Sequence, residues 1–238
     1  MPLAHTFKTL RVNQLIVSDF QRFFQGNWQY YETVHNFSYT FEFGKSYLLD
    51  AKLHRGAWAI SWLIGGLVSP AKNSKITIDG EIVEQSYLRS ISWCVSHDGY
   101  EKRHPWINWL KNGKTQILEG LEQNSHTSLK EVQTNFLIRD ETLNRNLKQL
   151  SGQKWRVSPA IGYAKGRIIY CFPHLNFFTR AILKEYGQLW FKDIIQFLTD
   201  EGALVLIPAI HDEESEGICD VVVPKSLIDS HYQKIDEA

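Results

Sequence analysis

The chain has 238 residues, of which 43% are hydrophobic and 22% are charged, and its 26 basic side chains balance 26 acidic ones. A folded chain of this length buries roughly 70% or more of the surface that its unfolded form exposes, so dominant disorder is excluded. The net charge of zero and the lack of a Lys/Arg run argue against a nucleic-acid partner.

Cysteine use and hydropathy indicate a cytoplasmic chain that is soluble or peripheral to a membrane. Cys94, Cys171 and Cys219 are too few and too scattered for a disulfide framework, and none belongs to a C-x-x-C pair. The longest apolar stretch, residues 56–68, is shorter than the roughly 20 residues that a spanning helix needs. The N-terminal segment MPLAHTFKTL has no apolar region typical of a signal peptide.

Aromatic residues are frequent, with 8 Trp, 10 Tyr and 13 Phe. They could build a Trp-rich core, or they could form protein interfaces, where rings bury area at low entropic cost. In the segment Tyr100–Trp109 charges and Trp alternate too closely for a core face. We therefore expect a docking surface there.

The first half of the chain reads as antiparallel strands followed by a helix. Phe37–Phe43 alternates with period two, Gly44 marks a turn, and Tyr47–Leu49 begins a further strand. After the loop AKLHRG, a helix is predicted from Ala57 to Leu67, closed by glycines. A hairpin is then expected around the dipeptide Asp79-Gly80, and Ile91–Val95 reads as a strand.

The second half predicts helices and then buried strands. The expected helices are Trp106–Gln123, Leu129–Phe136 with Ser128 as N-cap, Ser151–Ala164 with Pro159 in its first turns or at a kink, and Ile182–Asp200, ended by Gly202. Two apolar runs, Arg167–Phe172 and Ala203–Ile207, are typical of strands buried on both faces of a parallel sheet. This order of strands and helices predicts an α/β protein.

In this order, six segments resemble the nucleotide-binding domain of ATP-binding-cassette (ABC) transporters. They read FSYTFEFGKSYLLD, GGLVSPAKNSKITIDGEIV, LRSISWCVSHD, LSGQKWRV, RIIYCFP and EGALVLIPAIHDEESEGICDVVV. The resemblance implies a P-loop NTPase-like ABC ATPase fold with an antiparallel β subdomain and a helical insertion at roughly 100–164. It also implies a single domain over residues 1–238.

The phosphate loop implied by this resemblance is degenerate. A P-loop reads G-x-x-x-x-G-K-[S/T], because glycines turn backbone N–H groups inward, the Lys reaches the phosphates and the hydroxyl holds magnesium. The matching octet, residues 51–58, keeps only Gly56, and Ala57 and Trp58 replace the Lys and the hydroxyl residue. Lys52 or Arg55 could lend charge from a neighbouring position. Each lost charge-assisted contact costs about 1.5–3 kcal/mol.

Two further positions of the resemblance lack the expected groups. Cys171 and Phe172 stand where the Walker B strand should end in two carboxylates, and Ser96 or His97 lies nearest the place of the glutamine loop's Gln. Loss of a positioned base typically lowers a rate by about 10²–10⁴. Hydrolysis at this chain's own site is therefore not expected.

Two motif-like features remain. His211 resembles the switch histidine, although a His after a buried strand is often structural. Ser151, Gly152 and Gln153 resemble the signature motif, one glycine short, at the start of a helix that could instead use them only as an N-cap. Cassettes of this family pair head to tail. Ser151 to Gln153 could therefore cover nucleotide held by a partner, and ATP with magnesium is expected only in such a composite site.

Three functions follow from the resemblance. The first is a degenerate subunit at the inner face of the cell membrane, which pairs with a competent ABC ATPase or a membrane permease and supports transport without hydrolysing ATP. The second is a regulatory or interaction protein that reuses the scaffold outside transport, with Trp58 filling the former phosphate pocket. The third, an active but divergent ATPase, needs a cation and a carboxylate from elsewhere in the chain.

Overall fold

A computed structural model describes residues 7–25, 28–52, 55–69, 74–95, 97–104, 106–124, 127–175, 188–212 and 215–228. The strands are β1 (Thr9–Gln25), β2 (Trp28–Glu42), β3 (Ser46–Asp50), β4 (Lys75–Ile78), β5 (Glu81–Ile82), β6 (Ser92–Cys94), β7 (Lys102–His104), β8 (Ile107–Leu110), β9 (Ile169–Cys171), β10 (Leu204–Ala209) and β11 (Val221–Val223). The helices are α1 (Ala57–Ile64), α2 (Gln85–Ile91), α3 (Gly113–Gln123), α4 (Leu129–Asn135), α5 (Asp140–Leu143), α6 (Lys154–Ala164), α7 (Gln188–Asp200) and α8 (Lys225–Ile228), with a 3₁₀ turn at Leu147–Gln149.

A parallel sheet of five strands forms the centre of the molecule, in the order β11-β3-β10-β9-β6. Its strands are short and apolar, and all six residues of β10 are buried. Both faces of such a sheet must be covered, which explains why the strands read as continuous apolar runs rather than as alternating ones. The predicted α/β class is confirmed.

An antiparallel sheet, in the order β2-β1-β4-β5, packs beside the parallel sheet. Strands β1 and β2 pair along their length, with Thr9 opposite Glu42 and Gln25 opposite Trp28. Strands β4 and β5 form the hairpin predicted at Asp79-Gly80, where both residues adopt positive φ angles. The Asp79 carboxylate accepts hydrogen bonds from the backbone N–H groups of Lys8 and Thr9, which ties this turn to β1.

Two hydrophobic cores lie on opposite faces of the parallel sheet. One contains α1, whose eight residues are all buried, together with the apolar face of the antiparallel sheet. The other contains the packed faces of α3, α6 and α7. Successive residues of one strand alternate between the cores: Cys171 belongs to the first and Phe172, directly after β9, to the second.

Several sequence predictions are confirmed within a few residues. Helix α4 begins after Ser128, whose hydroxyl accepts from the N–H of Glu131 while the Glu131 carboxylate accepts from the Ser128 N–H. This reciprocal capping explains why the sequence around Ser128 predicts the start of α4 so well. Strands β9 and β10 occur where the two apolar runs lie, and Gly202 follows α7 with a positive φ. Residues 182–187 of the helix predicted before Gly202 lie outside the described residues.

One predicted helix is wrong over its first part, and the bounds of two other elements are shifted. The helix expected from Trp106 to Gln123 is a strand, β8, followed by α3, because the Asn112 side chain accepts from Thr115 N–H and caps the helix only there. Helix α6 begins at Lys154 with Gln153 as its N-cap, three residues after the predicted start at Ser151, so neither Ser151 nor Gly152 is the N-cap. Pro159 lies inside α6, in its second turn. Ile91 ends a helix, α2, that the sequence analysis missed.

Candidate functional site

The loop of residues 51–56 connects the end of β3 to the start of α1, at the C-terminal edge of the parallel sheet. Gly56 is the N-cap of α1 with φ 93°, a left-handed conformation that favours glycine. The loop is fixed at Ala51, whose N–H donates to the carbonyl of Ala209 and whose carbonyl accepts from Nε2 of the buried His174, both at 2.9 Å. Leu53 and His54 lie outside the described residues.

The N-terminus of α1 contacts a carboxylate of the chain itself. Glu32, on β2, is only 1% exposed, and its Oε2 accepts a 2.8 Å hydrogen bond from the backbone N–H of Ala59. An acid at this position is favoured because the first N–H groups of a helix have no partner within the helix and carry partial positive charge. The sequence analysis missed Glu32, since nothing in the surrounding segment distinguishes it from a surface acid.

The first two residues of α1 belong to the core. Ala57 and Trp58 are both fully buried. The Trp58 ring packs edge-on against Trp62, one turn later, with 5.5 Å between the ring centroids. Positions that in a P-loop would carry a charged amine and a hydroxyl toward phosphate are therefore occupied here by apolar groups that pack the helix.

Cys171 and Phe172 are fully buried and point to opposite faces of the sheet. Cys171 pairs in register with Cys94 on β6, and burial raises the pKa of the Cys94 thiol well above its usual value, helped by its hydrogen bond with Cys171. Phe172 stacks on Trp155 of α6 with an interplanar angle of 8°. Neither side chain is open to solvent and neither is a carboxylate, so this strand end lacks the Walker B pair.

Two polar groups do lie at the C-terminal edge of the sheet. His211 follows β10 with an exposed side chain, and its backbone N–H donates to Oδ1 of Asp50, the last residue of β3, at 2.8 Å. The sequence analysis named His211 but missed Asp50, which directly precedes the loop. His97 follows β6, with Nδ1 3.0 Å from Oδ1 of Asp98 and its ring edge-on to Trp62. Ser96 lies outside the described residues.

The signature-like residues lie at a second place, beside the N-terminus of α6. Gly152 and Gln153 line a cleft of about 220 Å³ together with Arg139, Arg156 and Trp190. Gln153 is held by the hydroxyl of Thr142, which donates to its Oε1 at 2.6 Å. Ser151 is exposed and precedes these residues in the same turn. No side chain caps the N-terminus of α6.

The electrostatics of this cleft favour an anion. Arg156 lies 4.5 Å from the centre of the Trp190 ring and donates to the carbonyl of Leu137. Burial lowers the pKa of Arg156, and the charge of Arg139 lowers it further. The described residues that line the cleft include these two arginines and no carboxylate. The sequence analysis missed both arginines, which become neighbours only in the folded chain.

The described residues contain neither a cluster of metal ligands nor a helix suited to a membrane. No group of three or more His, Cys, Asp or Glu side chains in this part of the chain is arranged to hold a metal ion. Among the same residues, none of the helices combines the length and the apolar character required to cross a bilayer.

Comparison with solved structures decides the fold. A putative ABC transporter ATP-binding protein from Pyrococcus furiosus superposes with a TM-score of 0.62 at 15% identity, over 90% of this chain and 96% of the other. The dimeric structure of a bacterial ABC transporter cassette gives 0.59 at 15% identity, over 91% and 94%. The chain has the ATP-binding-cassette fold. A bacterial Atm1-family ABC exporter with ATP bound also matches this cassette, at 0.59 and 16% identity, but the chain spans only 37% of that exporter.

The sequence itself gives no such match. No protein-family model matches the cassette, and no curated protein matches it. The likeness at 14–16% identity therefore defines the fold, and the chemistry of this cassette must be judged from its own residues.

Proposed function

We propose that this chain is a catalytically degenerate ABC-type subunit, one cassette domain over residues 1–238, that supports transport without hydrolysing ATP at its own loop. The observation that carries the proposal is the buried Glu32 carboxylate at the N-terminus of α1. The helix end that would receive phosphate already donates a hydrogen bond to a side chain of the chain itself.

An ionised Glu32 would repel a nucleotide phosphate at this helix end. Two unit charges 4 Å apart repel by about 4 kcal/mol at the effective dielectric constant of about 20 typical near protein surfaces. About 1.4 kcal/mol corresponds to a tenfold change in affinity, so this repulsion alone weakens binding by about three orders of magnitude. Ala57 and Trp58 offer no charge or metal ligand in compensation.

The signature-like cleft supports a role opposite a competent partner. Its two arginines form a positive surface that suits phosphate held by another cassette. One solved neighbour is a dimeric cassette, and another, cbiO1 from Clostridium perfringens, is part of the ABC transporter complex cbiONQ. By analogy, we propose pairing with an ABC ATPase or a membrane permease at the cytoplasmic face of the membrane.

A second candidate function is that of a regulatory or interaction protein outside transport. The observation that favours it is the exposed pair Trp106 and Trp109, 90% and 73% exposed on the β7–β8 hairpin. Such a surface suits any protein partner. Co-fractionation with membranes supports the transport role, whereas its absence supports the second candidate.

The test is calorimetric titration of the purified chain with ATP, with and without magnesium, alongside a phosphate-release assay. We expect no binding up to millimolar nucleotide and no release. The variant Glu32→Gln keeps a hydrogen-bond acceptor for Ala59 and removes the charge, so we expect it to raise affinity at least about tenfold without restoring hydrolysis.

The matched control is Glu42→Gln, which removes the same charge from the exposed end of β2 and should change nothing. Tight, magnesium-dependent binding by the unaltered chain would contradict the proposal. Equal affinities of the two variants would show that the Glu32 charge does not exclude nucleotide.

A further inference from the structure

A second polar cleft, of about 330 Å³, lies beside the edge strand β6. Three serines line it, Ser86, Ser90 and Ser92. The charged side chains around it are Arg89, Asp98, Glu101, Lys165 and Arg167. The cleft is separate from the loop of residues 51–56, because that loop follows the C-terminal end of β3, three positions from β6 in the sheet order.

Two of the three cations in this cleft are neutralised by carboxylates. Arg89 makes a bidentate ion pair with Asp98, with Nη1 2.9 Å from Oδ2 and Nη2 in contact with Oδ1. Asp98 also accepts from the backbone N–H of Cys94, which fixes the pair to β6. Lys165 Nζ lies 2.6 Å from Oε1 of Glu101.

Arg167 is the exception. Its side chain is partly buried, and among the described residues its guanidinium has neither a hydrogen bond nor an ion pair. Its Nε is buried without a hydrogen-bond partner. Burial lowers the pKa of Arg167, and the charge of Arg89 lowers it further. The carboxylates of Asp98 and Glu101 lie close enough to raise this pKa in part, but each is in direct contact with another cation. A partly desolvated guanidinium with no direct ion pair of its own is costly, so Arg167 can accept a further anion.

We propose that this cleft binds a small oxyanion, a phosphate or carboxylate group, with Arg167 as its principal ligand. The planar guanidinium presents parallel N–H donors that match two oxygens of such a group. Ser92 offers a hydroxyl whose contact within the chain, to the carbonyl of Ile64, is long at 3.5 Å. The paired Arg89 and Lys165 add positive potential without competing for the ligand.

The experiment measures thermal unfolding of the full chain in sodium phosphate and in sodium chloride at equal ionic strength. Ligand at ten times its dissociation constant stabilises a chain of this size by about 1.4 kcal/mol, so we expect the unfolding temperature to rise by about 3–6 °C with phosphate. Arg167→Gln should abolish the rise. Arg11→Gln, which removes the same charge from an exposed position on β1, should keep it.

The same series with sodium acetate separates the two oxyanion classes, since the better ligand gives the larger rise. An equal rise in the unaltered chain and in Arg167→Gln, or no rise with either anion, would overturn the proposal. If Arg167→Gln does not fold, Arg167→Lys replaces it as the test variant, because it keeps the positive charge and loses the parallel N–H donors of the guanidinium. We then expect phosphate affinity, measured by calorimetry, to fall at least about tenfold against Arg11→Lys, and an unchanged affinity would overturn the proposal.

Discussion

At the scale of single residues, Gly65 shows how closely α1 approaches the parallel sheet. A Cβ atom at this position would lie 2.5 Å from Sγ of Cys94 and 3.2 Å from Sγ of Cys171. The φ of Gly65 is −69°, which any residue adopts, so the constraint is purely steric. Cys171 stands at the position that the resemblance assigns to a Walker B carboxylate, and it packs beneath the end of α1.

We predict that Gly65→Ala destabilises the chain by about 1–3 kcal/mol, because overpacking a close-packed core forces its neighbours to shift. In a Cys94→Ala background the same change should cost less than half as much, since the nearest sulfur is gone. Denaturant unfolding of the four chains in this double-mutant cycle measures the coupling. Additive effects would show that Cys94 does not limit the approach.

At the scale of elements, cap and turn signals predicted the structure well, whereas the pairing of one strand with its neighbour was missed. The N-cap at Ser128 and the turn at Asp79-Gly80 are defined by neighbours in sequence, and both occur as predicted. The segment from Trp106 was predicted as a helix, yet it contains strand β8, because β8 pairs with β7 and places Leu110 opposite Lys102. Periodicity in one segment carries no information about that pairing.

The β7–β8 hairpin leads to a prediction about recruitment. Trp106 and Trp109 are too exposed to contribute to the core, so changing either to Ala should alter the free energy of unfolding by no more than about 0.5 kcal/mol. If the hairpin docks on a membrane permease, both changes should reduce co-fractionation of the chain with membranes.

Ile82→Ala is the control, because Ile82 is an exposed apolar residue, 68% exposed, on the separate β4–β5 hairpin. Its co-fractionation should equal that of the unaltered chain. A Trp pair that can be removed without effect on membrane recruitment would argue against docking through this surface.

At the scale of the whole molecule, the fold could be predicted from the sequence, but the contacts that form the candidate sites could not. The order of strands and helices follows from apolar runs and glycines, each readable locally. Glu32 lies 27 residues from Ala59, and its contact with α1 arises only when the antiparallel sheet packs on the helix. The cleft around Arg139 and Arg156 likewise needs α5 and α6 brought together, which no spacing rule supplies.

The last prediction concerns assembly. In a homodimer of this chain, Glu32 would occupy the N-terminus of α1 beside both phosphate loops. Millimolar Mg-ATP should therefore not promote dimers in sedimentation velocity, and no phosphate should be released. Co-expression with a competent ABC cassette of the source cell should instead give a heterodimer with ATPase activity. Arg139→Glu, an exposed charge reversal in the signature-like cleft, should lower that activity roughly tenfold, equivalent to about 1.4 kcal/mol.

Arg145→Glu is the matched control, since Arg145 is also exposed and does not line the cleft, and it should leave the heterodimer's activity unchanged. A difference between the two variants reports the effect of charge in the cleft, because both change the net charge equally and neither disturbs the core. A homodimer that forms with Mg-ATP and releases phosphate would instead require a functional loop in this chain. The carboxylate at the start of α1 would then have to move away when nucleotide binds.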